Sequence, residues 1–305
     1  MTSRRRRRSA GLVILLAGLG LAVLFAFHDV APGFGGALSM LESVFPWLAI
    51  ALVALLIGAA YSRTRGAWIG VLAAALVWGI TVLPAALPAS ASTSTDFTIV
   101  SENVEAGNVD ADALVTSLSE RNPDVIVLQE LSGDIRDSIA ATLDDRYPHS
   151  YIVGTVGVWS RTALSGGQRL DLGLGWNRAL TVDVDTPNGP TTIVAVHIAS
   201  FRPGEHEDRD RMLGNLATDL AETKAKRLVV IGDFNAATDD HVLAPVMAQA
   251  RAVQTSGFGF AFTWPSAAPF VTLDHALVRG ISDASLRVLD ANGSDHRGIA
   301  LTIGR

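Results

Sequence analysis

The sequence predicts an α/β domain of mixed strands that is preceded by three transmembrane helices. The chain of 305 residues is 49% hydrophobic, with a mean hydropathy of +0.33, which is high for a wholly soluble protein. Its charge is divided unevenly: residues 1–95 carry seven Arg and two acidic residues, whereas residues 96–305 carry 17 basic and 28 acidic residues. Short β-rich runs alternate with helical segments throughout the second part. These observations predict a membrane anchor followed by one acidic globular domain.

Three apolar stretches without charged residues predict the anchor, at 9–27, 43–62 and 66–95. Each reaches the roughly 20 residues that are needed to cross the hydrocarbon core of a bilayer. A signal peptide is the alternative for the first stretch, because a run of Arg precedes it. Ala89-Ser90-Ala91, which follows the most apolar part of the third stretch, resembles a peptidase cleavage site.

The positions of the Arg residues predict the orientation of the anchor. The run at 4–8 and the pair Arg63 and Arg65 should both lie in the cytoplasm. Three spans then place the rest of the chain outside. We therefore expect a multi-pass anchor at 1–88, a small-residue linker at 89–95 and an extracytoplasmic domain at 96–305.

The domain at 96–305 is long enough for one sizeable core. An Asn188-Gly189 pair between two β-rich runs predicts a hairpin, and Asp110 is placed to cap a helix. Strands are predicted at 97–100, 125–128, 179–185, 191–197, 228–231, 271–278 and 299–303, and helices at 111–118 and 205–224.

Polar side chains follow or begin most of these strands. They are Asn103, Glu130, His197, Asp233, Asn235, Asp274, Asp295 and His296. Ligand sites of open α/β folds gather beyond the ends of strands, so we expect these residues to meet. Carboxylate and amide oxygens suit Mg²⁺ or Mn²⁺. The chain has no Cys, which excludes thiolate metal sites, Cys nucleophiles and disulfides.

The motifs that carry these residues occur in a fixed order. They are Ser-x-Asn-Val, Leu-Gln-Glu, Val-x-Val-His, Gly-Asp-Phe-Asn, Thr-Trp-Pro, Leu-Asp-His and Ser-Asp-His. Over 97–305 the series resembles the endonuclease/exonuclease/phosphatase superfamily, the metal-dependent phosphoesterases related to deoxyribonuclease I. The resemblance implies a four-layer sandwich of two mixed β-sheets flanked by helices. It also implies an enzyme that hydrolyses phosphoesters with Mg²⁺ or Mn²⁺.

The resemblance implies metal-binding roles for Asn103, Glu130 and Asp295. Glu130 is the principal expected ligand, since a carboxylate at the end of a buried strand is costly unless it is paired or binds a metal. The alternative for Glu130 alone is a surface residue just past the strand. Asn103 is expected to position either the phosphate or a metal-bound water.

The resemblance implies catalytic roles for five further residues. His296 should pair with Asp274, acting as a general base or as a cation that stabilises the phosphate. Asp233 is the other candidate for activating water, and Asn235 should orient the phosphate. His197 is expected to be a general acid or a donor to a phosphate oxygen, although a lone His at a strand end is more often a core residue.

The substrate class is left open by the motifs. A position outside and close to lipid, together with a domain charge of −11, favours a lipid-borne phosphoester or pyrophosphate over nucleic acid. An extracellular nuclease is the alternative enzyme, and a non-catalytic sensor on the same fold is the alternative class. The expected partners are the lipid bilayer and the phosphate-containing substrate, and nothing in the sequence calls for an obligate protein partner.

Overall fold

A computed structural model describes residues 2–88, 97–202 and 204–304. The chain divides into two compact units. The first comprises residues 1–86 with 239–241, and the second comprises residues 87–238 with 242–305. The predicted linker at 89–95 and the Ala89-Ser90-Ala91 sequence lie outside the described residues.

The first unit is helical, and its three longest helices contact one another. Its helices are α1 (Thr2–Phe27), α2 (Ala37–Glu42), α3 (Ala49–Ser62) and α4 (Arg65–Thr81). Two helical segments, Arg4–Val30 and Phe45–Ser62, are long and apolar enough to cross a membrane. The third predicted span forms the 17-residue apolar helix α4 and then a short 3₁₀ helix at Leu83–Ala86. Pro84 accounts for this ending, since proline cannot continue an α-helix.

Glycines allow α1 and α4 to approach closely. A Cβ atom added at Gly18 would lie 2.4 Å from the backbone of Gly70. One added at Gly70 would lie 2.7 Å from the backbone of Leu15. Small residues at such crossings are typical of helices that pack inside a bilayer.

The second unit contains two six-stranded mixed sheets. The first sheet has the order β11-β12-β1-β2-β4-β3, and its strands are β1 (Phe97–Asn103), β2 (Val125–Gln129), β3 (His149–Val153), β4 (Val156–Ser160), β11 (Ala284–Val288) and β12 (Ile299–Ile303). The second has the order β5-β6-β7-β8-β10-β9, and its strands are β5 (Leu164–Arg169), β6 (Ala179–Thr186), β7 (Gly189–His197), β8 (Leu228–Asp233), β9 (Arg251–Ala252) and β10 (Asp274–Arg279).

The two sheets pack face to face, and helices cover their outer faces. The shared core joins residues such as Val127 of the first sheet to Ile193 and Ile231 of the second. The helices of this unit are α5 (Ala111–Glu120), α6 (Gly133–Leu143), α7 (Glu207–Glu222) and α8 (Ala244–Met247). Helices α5 and α6 pack on the first sheet, and α7 and α8 on the second. The structure confirms the predicted four-layer sandwich.

Strand direction brings the polar motifs to one edge of the unit. Parallel strands β1 and β2 end together, with Asn103 paired to Gln129, and Glu130 follows at once. Parallel strands β7 and β8 also end together, with His197 paired to Asp233. Antiparallel β10 starts there, with Asp274 paired to Asp233. We call this side of the sandwich the polar edge.

The predicted elements all form, with shifted ends. The Asn188-Gly189 pair closes the β6–β7 hairpin, and Gly189 adopts φ +97°, a conformation that glycine tolerates. Asp110 stands at the N-cap of α5, but its side chain makes no capping bond. The elements that were not predicted are α6, α8, β3, β4, β5, β9 and β11.

Candidate active site

The carboxylate of Asp233 is the centre of the polar edge. Its Oδ2 atom accepts hydrogen bonds from Asn103 Nδ2 at 3.1 Å and from Asn235 Nδ2 at 3.0 Å. The same oxygen lies 3.9 Å from Nε2 of both His197 and His296. Four of the predicted residues therefore converge on one buried oxygen atom of a fifth, Asp233.

Glu130 lies beside this centre and is partly exposed. Its Oε1 atom accepts from Asn103 Nδ2 at 3.0 Å and lies 3.5 Å from His197 Nε2. Its Oε2 atom accepts from the Ala106 amide at 2.8 Å. The backbone of Glu130 has φ +61°, which is uncommon for a residue with a side chain and marks a constrained position.

Asp274 and His296 form the predicted pair, across the gap between the two sheets. His296 Nδ1 lies 2.9 Å from Asp274 Oδ2, and both side chains are buried. Because Nδ1 donates to the carboxylate, Nε2 is the imidazole atom that faces Asp233. Burial by itself lowers the pKa of His296, but the charge of Asp274 and its hydrogen bond raise the pKa to about 10. His296 is thus a buried cation in the metal-free protein.

His197 is buried against Arg178. The Arg178 guanidinium donates to His197 Nε2, which therefore acts as the acceptor of a neutral imidazole. Burial lowers the pKa of His197 well below 6.5, and the charge of Arg178 lowers it further. Because His197 is neutral, the positive charge near Glu130 is carried by Arg178.

Asp295 lies at the exposed rim of the site. Its Oδ2 atom accepts from Trp264 Nε1 at 3.3 Å, and its amide donates to Glu105 Oε2 at 3.2 Å. Asn103 turns its amide nitrogen toward Glu130, while its oxygen accepts from the Glu105 amide at 3.0 Å. The metal-binding roles of Asn103, Glu130 and Asp295 stay predictions.

The donor set fits a hard divalent cation. Glu130, Asp233 and Asp295 offer carboxylate oxygens, which Mg²⁺ and Mn²⁺ prefer. The ligand atoms of Asp233, Asp274 and His296 lie within 4.8 Å of one another, close enough to share an ion. Neither Glu130 nor Asp295 belongs to this group.

The carboxyl of Asp233 has a raised pKa. Burial raises the pKa of its carboxyl to about 7, and Asp274 adds to the shift while His296 opposes it. A catalytic base works best when its pKa lies near the working pH. Asn235 holds this carboxylate through its backbone amide, which donates to Asp233 Oδ1 at 2.9 Å.

Glu102 is a buried carboxyl that sequence reasoning missed. It lies in β1 with no exposed surface, accepts from Asn292 Nδ2 at 3.1 Å, and burial raises its pKa to about 8 from 4.5. The folded protein therefore binds this proton more tightly than the unfolded chain does. Stability from Glu102 is present at low pH and is lost as the pH rises to about 8.

We expect Glu102→Gln to flatten the dependence of stability on pH, because the amide keeps the acceptor for Asn292 and cannot ionise. Chemical denaturation of the metal-free protein between pH 5 and pH 8 measures this dependence. A variant with the same slope as the wild-type protein would contradict the assignment of this proton to Glu102.

A pocket of about 510 Å³ opens next to Arg178. Trp176 forms one wall, stacked on the Arg178 guanidinium at 5.0 Å. The other charged residues that line the pocket are one more Arg and three carboxylates. The lining residues are Leu174, Trp176, Arg178, Ala199, Ser200, Arg202, Gly204, Glu205, Glu207 and Asp208. The pocket offers room for a group attached to the phosphate, in surroundings of mixed charge.

The fold has relatives among solved structures. Sphingomyelinase C from Streptomyces griseocarneus is 17% identical with a TM-score of 0.56, and the match covers 69% of this chain and 100% of that one. A beta toxin from Staphylococcus aureus with bound magnesium ions is 14% identical with a TM-score of 0.56, covering 68% and 99%. An endonuclease/exonuclease/phosphatase from Beutenbergia cavernae is 21% identical with a TM-score of 0.54, covering 69% and 72%. At these identities the likeness shows the fold.

Among curated proteins, none matches the chain in sequence. The family model described as "Endonuclease/Exonuclease/phosphatase family" matches residues 101–296, which include every predicted site residue. Members of this family use divalent metals. The chain therefore belongs to the endonuclease/exonuclease/phosphatase family and is a metal-dependent hydrolase.

Proposed function

We propose that this protein is a membrane-anchored, extracytoplasmic phosphoesterase that hydrolyses a lipid-borne phosphoester or pyrophosphate. One observation carries the hydrolytic part of the proposal. Two imidazoles and two amides converge on the carboxylate oxygen Oδ2 of Asp233 at the polar edge, with Glu130 beside them. A binding module would not need an Asp-His pair at the same place.

Glu130 is the residue that we propose to hold Mg²⁺ or Mn²⁺, with Asp295 and the Asn103 side chain alongside. A bound divalent ion neutralises phosphate oxygens and stabilises the leaving oxygen. The carboxylate is already oriented for this role, since Asn103 and the Ala106 amide each hold one of its oxygens.

Each of the remaining residues has its own role in hydrolysis. Asp233 accepts the proton of the attacking water, and Asn235 keeps its carboxylate in place. His296, held by Asp274, donates from Nε2 to a phosphate oxygen. Arg178 forms the opposite side of the site and contributes donors to the phosphate, and the neutral His197 holds its guanidinium by accepting a hydrogen bond at Nε2.

Charge and tethering support a lipid-borne substrate. Residues 96–305 carry a net charge of −11, and the pocket next to Arg178 includes Glu205, Glu207 and Asp208. Such a surface opposes a polyanion such as DNA. The predicted linker at 89–95 is short in sequence, which supports a substrate held in the bilayer. A tether of this kind raises the effective concentration of the site for lipid head groups.

Exposed apolar residues at the polar edge also support the proposal. Between residues 97 and 304, the described residues include four large apolar side chains that are exposed: Val109 (94%), Trp176 (52%), Phe258 (79%) and Phe270 (39%). Val109, Trp176 and Phe270 lie in the loops that follow β1, precede β6 and precede β10, which meet the polar edge, and Phe258 lies in the loop between β9 and β10. Aromatic and aliphatic side chains in such a position favour contact with the interfacial layer of a membrane.

We expect vesicle-borne substrate to be preferred over DNA. The comparison uses the full chain in lipid vesicles, and measures kcat/KM for a polyprenyl pyrophosphate or phospholipid and for plasmid DNA. Val109→Ser with Phe258→Ser should lower turnover of the lipid substrate by roughly 100-fold or more, since burial of each such side chain contributes about 1.5–3 kcal/mol and each 1.36 kcal/mol is tenfold. The double variant should retain turnover of a short-chain soluble phosphodiester, because neither residue touches the catalytic groups.

Efficient cleavage of DNA, with no advantage for any lipid phosphate in vesicles, would favour the nuclease instead. Loss of turnover on the soluble phosphodiester in the double variant would show that these side chains support the fold and not lipid binding.

We expect the C-terminal unit to lie outside the cytoplasm. Arg63 and Arg65 lie between two apolar helices, where the positive-inside rule assigns the cytoplasmic face. Protease added to intact cells should digest the C-terminal unit, and a reporter active only in the cytoplasm should be silent when fused after Arg305. Activity of that reporter, with protection from the protease, would reverse the orientation.

A further inference from the structure

The turn that carries Asp233 and Asn235 has a strained backbone. Gly232 adopts φ +142°, and a Cβ atom there would lie 2.0 Å from the Val196 carbonyl oxygen. Asn235 adopts φ +47°, a region that side-chain-bearing residues seldom occupy. Contacts from outside the turn must hold such a conformation in place.

His275 supplies one of these contacts. It is paired with Gly232 in the β8–β10 ladder, and its side chain is buried. Its Nε2 atom lies 2.8 Å from the Ala236 carbonyl oxygen, and its ring packs edge-on against Phe234 at 5.4 Å. A carbonyl can only accept, so Nε2 carries the proton and donates.

Arg209 contacts the neighbouring carbonyl from the other side. It projects from α7 with 1% of its surface exposed, and its Nη1 lies 3.5 Å from the Asn235 carbonyl oxygen. Asp210 binds the guanidinium through Nε and Nη2 at 2.9 and 2.7 Å. Two successive carbonyls of the turn thus face donors from two separate elements.

We propose that His275 is a positioning residue for hydrolysis, which holds the Asp233–Asn235 turn through its donation to the Ala236 carbonyl, with Arg209 as a second and weaker support. This inference rests on the proposed function, because the turn carries the proposed base and its partner. His275 itself touches neither substrate nor metal. It acts by keeping the Asp233 carboxylate aligned with His296 and Asn103.

The test compares three variants of the full chain in detergent micelles, with bis(p-nitrophenyl) phosphate and Mg²⁺. His275→Phe keeps a ring against Phe234 and removes the donor. His275→Gln returns an amide donor near the position of Nε2. Arg279→Met is the matched control, since Arg279 lies on the same strand and donates to the Leu220 and Thr223 carbonyls at 2.8 and 3.1 Å, away from the polar edge.

We expect His275→Phe to lower kcat up to about 100-fold with a much smaller change in KM, because small misplacements of catalytic groups have effects of that size. His275→Gln should recover most of the loss. Arg279→Met should lower the melting temperature and leave kcat at the wild-type value. Amide hydrogen exchange of 232–236 should become faster in His275→Phe and stay unchanged in Arg279→Met.

Wild-type kcat and wild-type exchange in His275→Phe would overturn the proposal, as would an equal loss of kcat in Arg279→Met. If His275→Phe does not fold, Arg209→Met must show faster exchange of the same segment, and slow exchange there would equally overturn it. If the wild-type protein has no phosphodiesterase activity, only the proposed function fails. The exchange measurement still decides whether His275 holds the turn, because it does not depend on turnover.

Discussion

Glu130→Gln should reduce metal-dependent hydrolysis by about three orders of magnitude, since a bound ion contributes several kcal/mol of charge stabilisation and each 1.36 kcal/mol is tenfold in rate. The amide preserves the size of the side chain and can still accept from the Ala106 amide, so the fold should remain. It removes the negative charge that holds the cation. Isothermal titration with Mg²⁺ and Mn²⁺, combined with turnover of a soluble phosphodiester, measures both consequences.

Glu120→Gln is the matched control, because Glu120 is an exposed residue at the end of α5 and lies away from the polar edge. That variant should bind metal and turn over substrate like the wild-type protein. Normal turnover in Glu130→Gln, or in an excess of chelator, would contradict the metal-dependent mechanism proposed here. Loss of activity with unchanged metal affinity would assign Glu130 to another step.

His296→Ala should lower kcat by roughly 10²–10⁴, the contribution of a positioned acid–base group. Asp274→Asn should have a smaller effect, because the imidazole remains but loses the carboxylate that fixes its tautomer and raises its pKa. The profile of kcat against pH should therefore shift to lower pH on the side where His296 deprotonates. Steady-state kinetics between pH 5 and pH 10 measures the two effects.

His149→Ala serves as the control, since His149 is an exposed residue of β3 and should tolerate the change. Near-normal turnover in both His296→Ala and Asp274→Asn would show that their pairing has no catalytic use. An Asp274→Asn variant with the wild-type pH profile would show that the carboxylate does not control the charge of His296.

The position of the site could be predicted from the sequence because buried strands leave a strong signal. β2 and β8 are continuous apolar runs, buried along their whole length, and each leads directly into a polar residue. A strand that is buried on both faces is apolar at almost every position, so its sequence identifies it without knowledge of the strands beside it. The side chains that such strands present at their ends, Glu130 and Asp233, are the ones that the structure brings together.

Other elements depend on contacts that no local pattern shows. β5 is an edge strand with two glycines and is exposed over most of its length, so its sequence is close to that of a loop. Arg178 and His197 meet because β6 and β7 form a hairpin whose open end lies at the polar edge. The role of His275 depends on a carbonyl 39 residues away in the chain.

The third predicted span shows a different limit. The predicted span extends to residue 95 because no charged residue interrupts it. A proline, however, stops an α-helix whatever the hydropathy around it. The helix accordingly ends at Thr81, and the length that remains is 17 residues. Charge and hydropathy located the helix, whereas its end depended on the backbone restriction that Pro84 imposes, which neither measure describes.

The face-to-face packing of the two sheets makes the hydrophobic core part of the catalytic apparatus. Asn103 and Glu130 come from one sheet, while His197 and Asp233 come from the other, and contacts of 3.1 and 3.5 Å bridge them. The side chains packed between the sheets therefore set the distance between the polar groups of one sheet and those of the other. A core substitution that changes the volume between the sheets should therefore alter the distances between these polar groups as well as the stability of the fold.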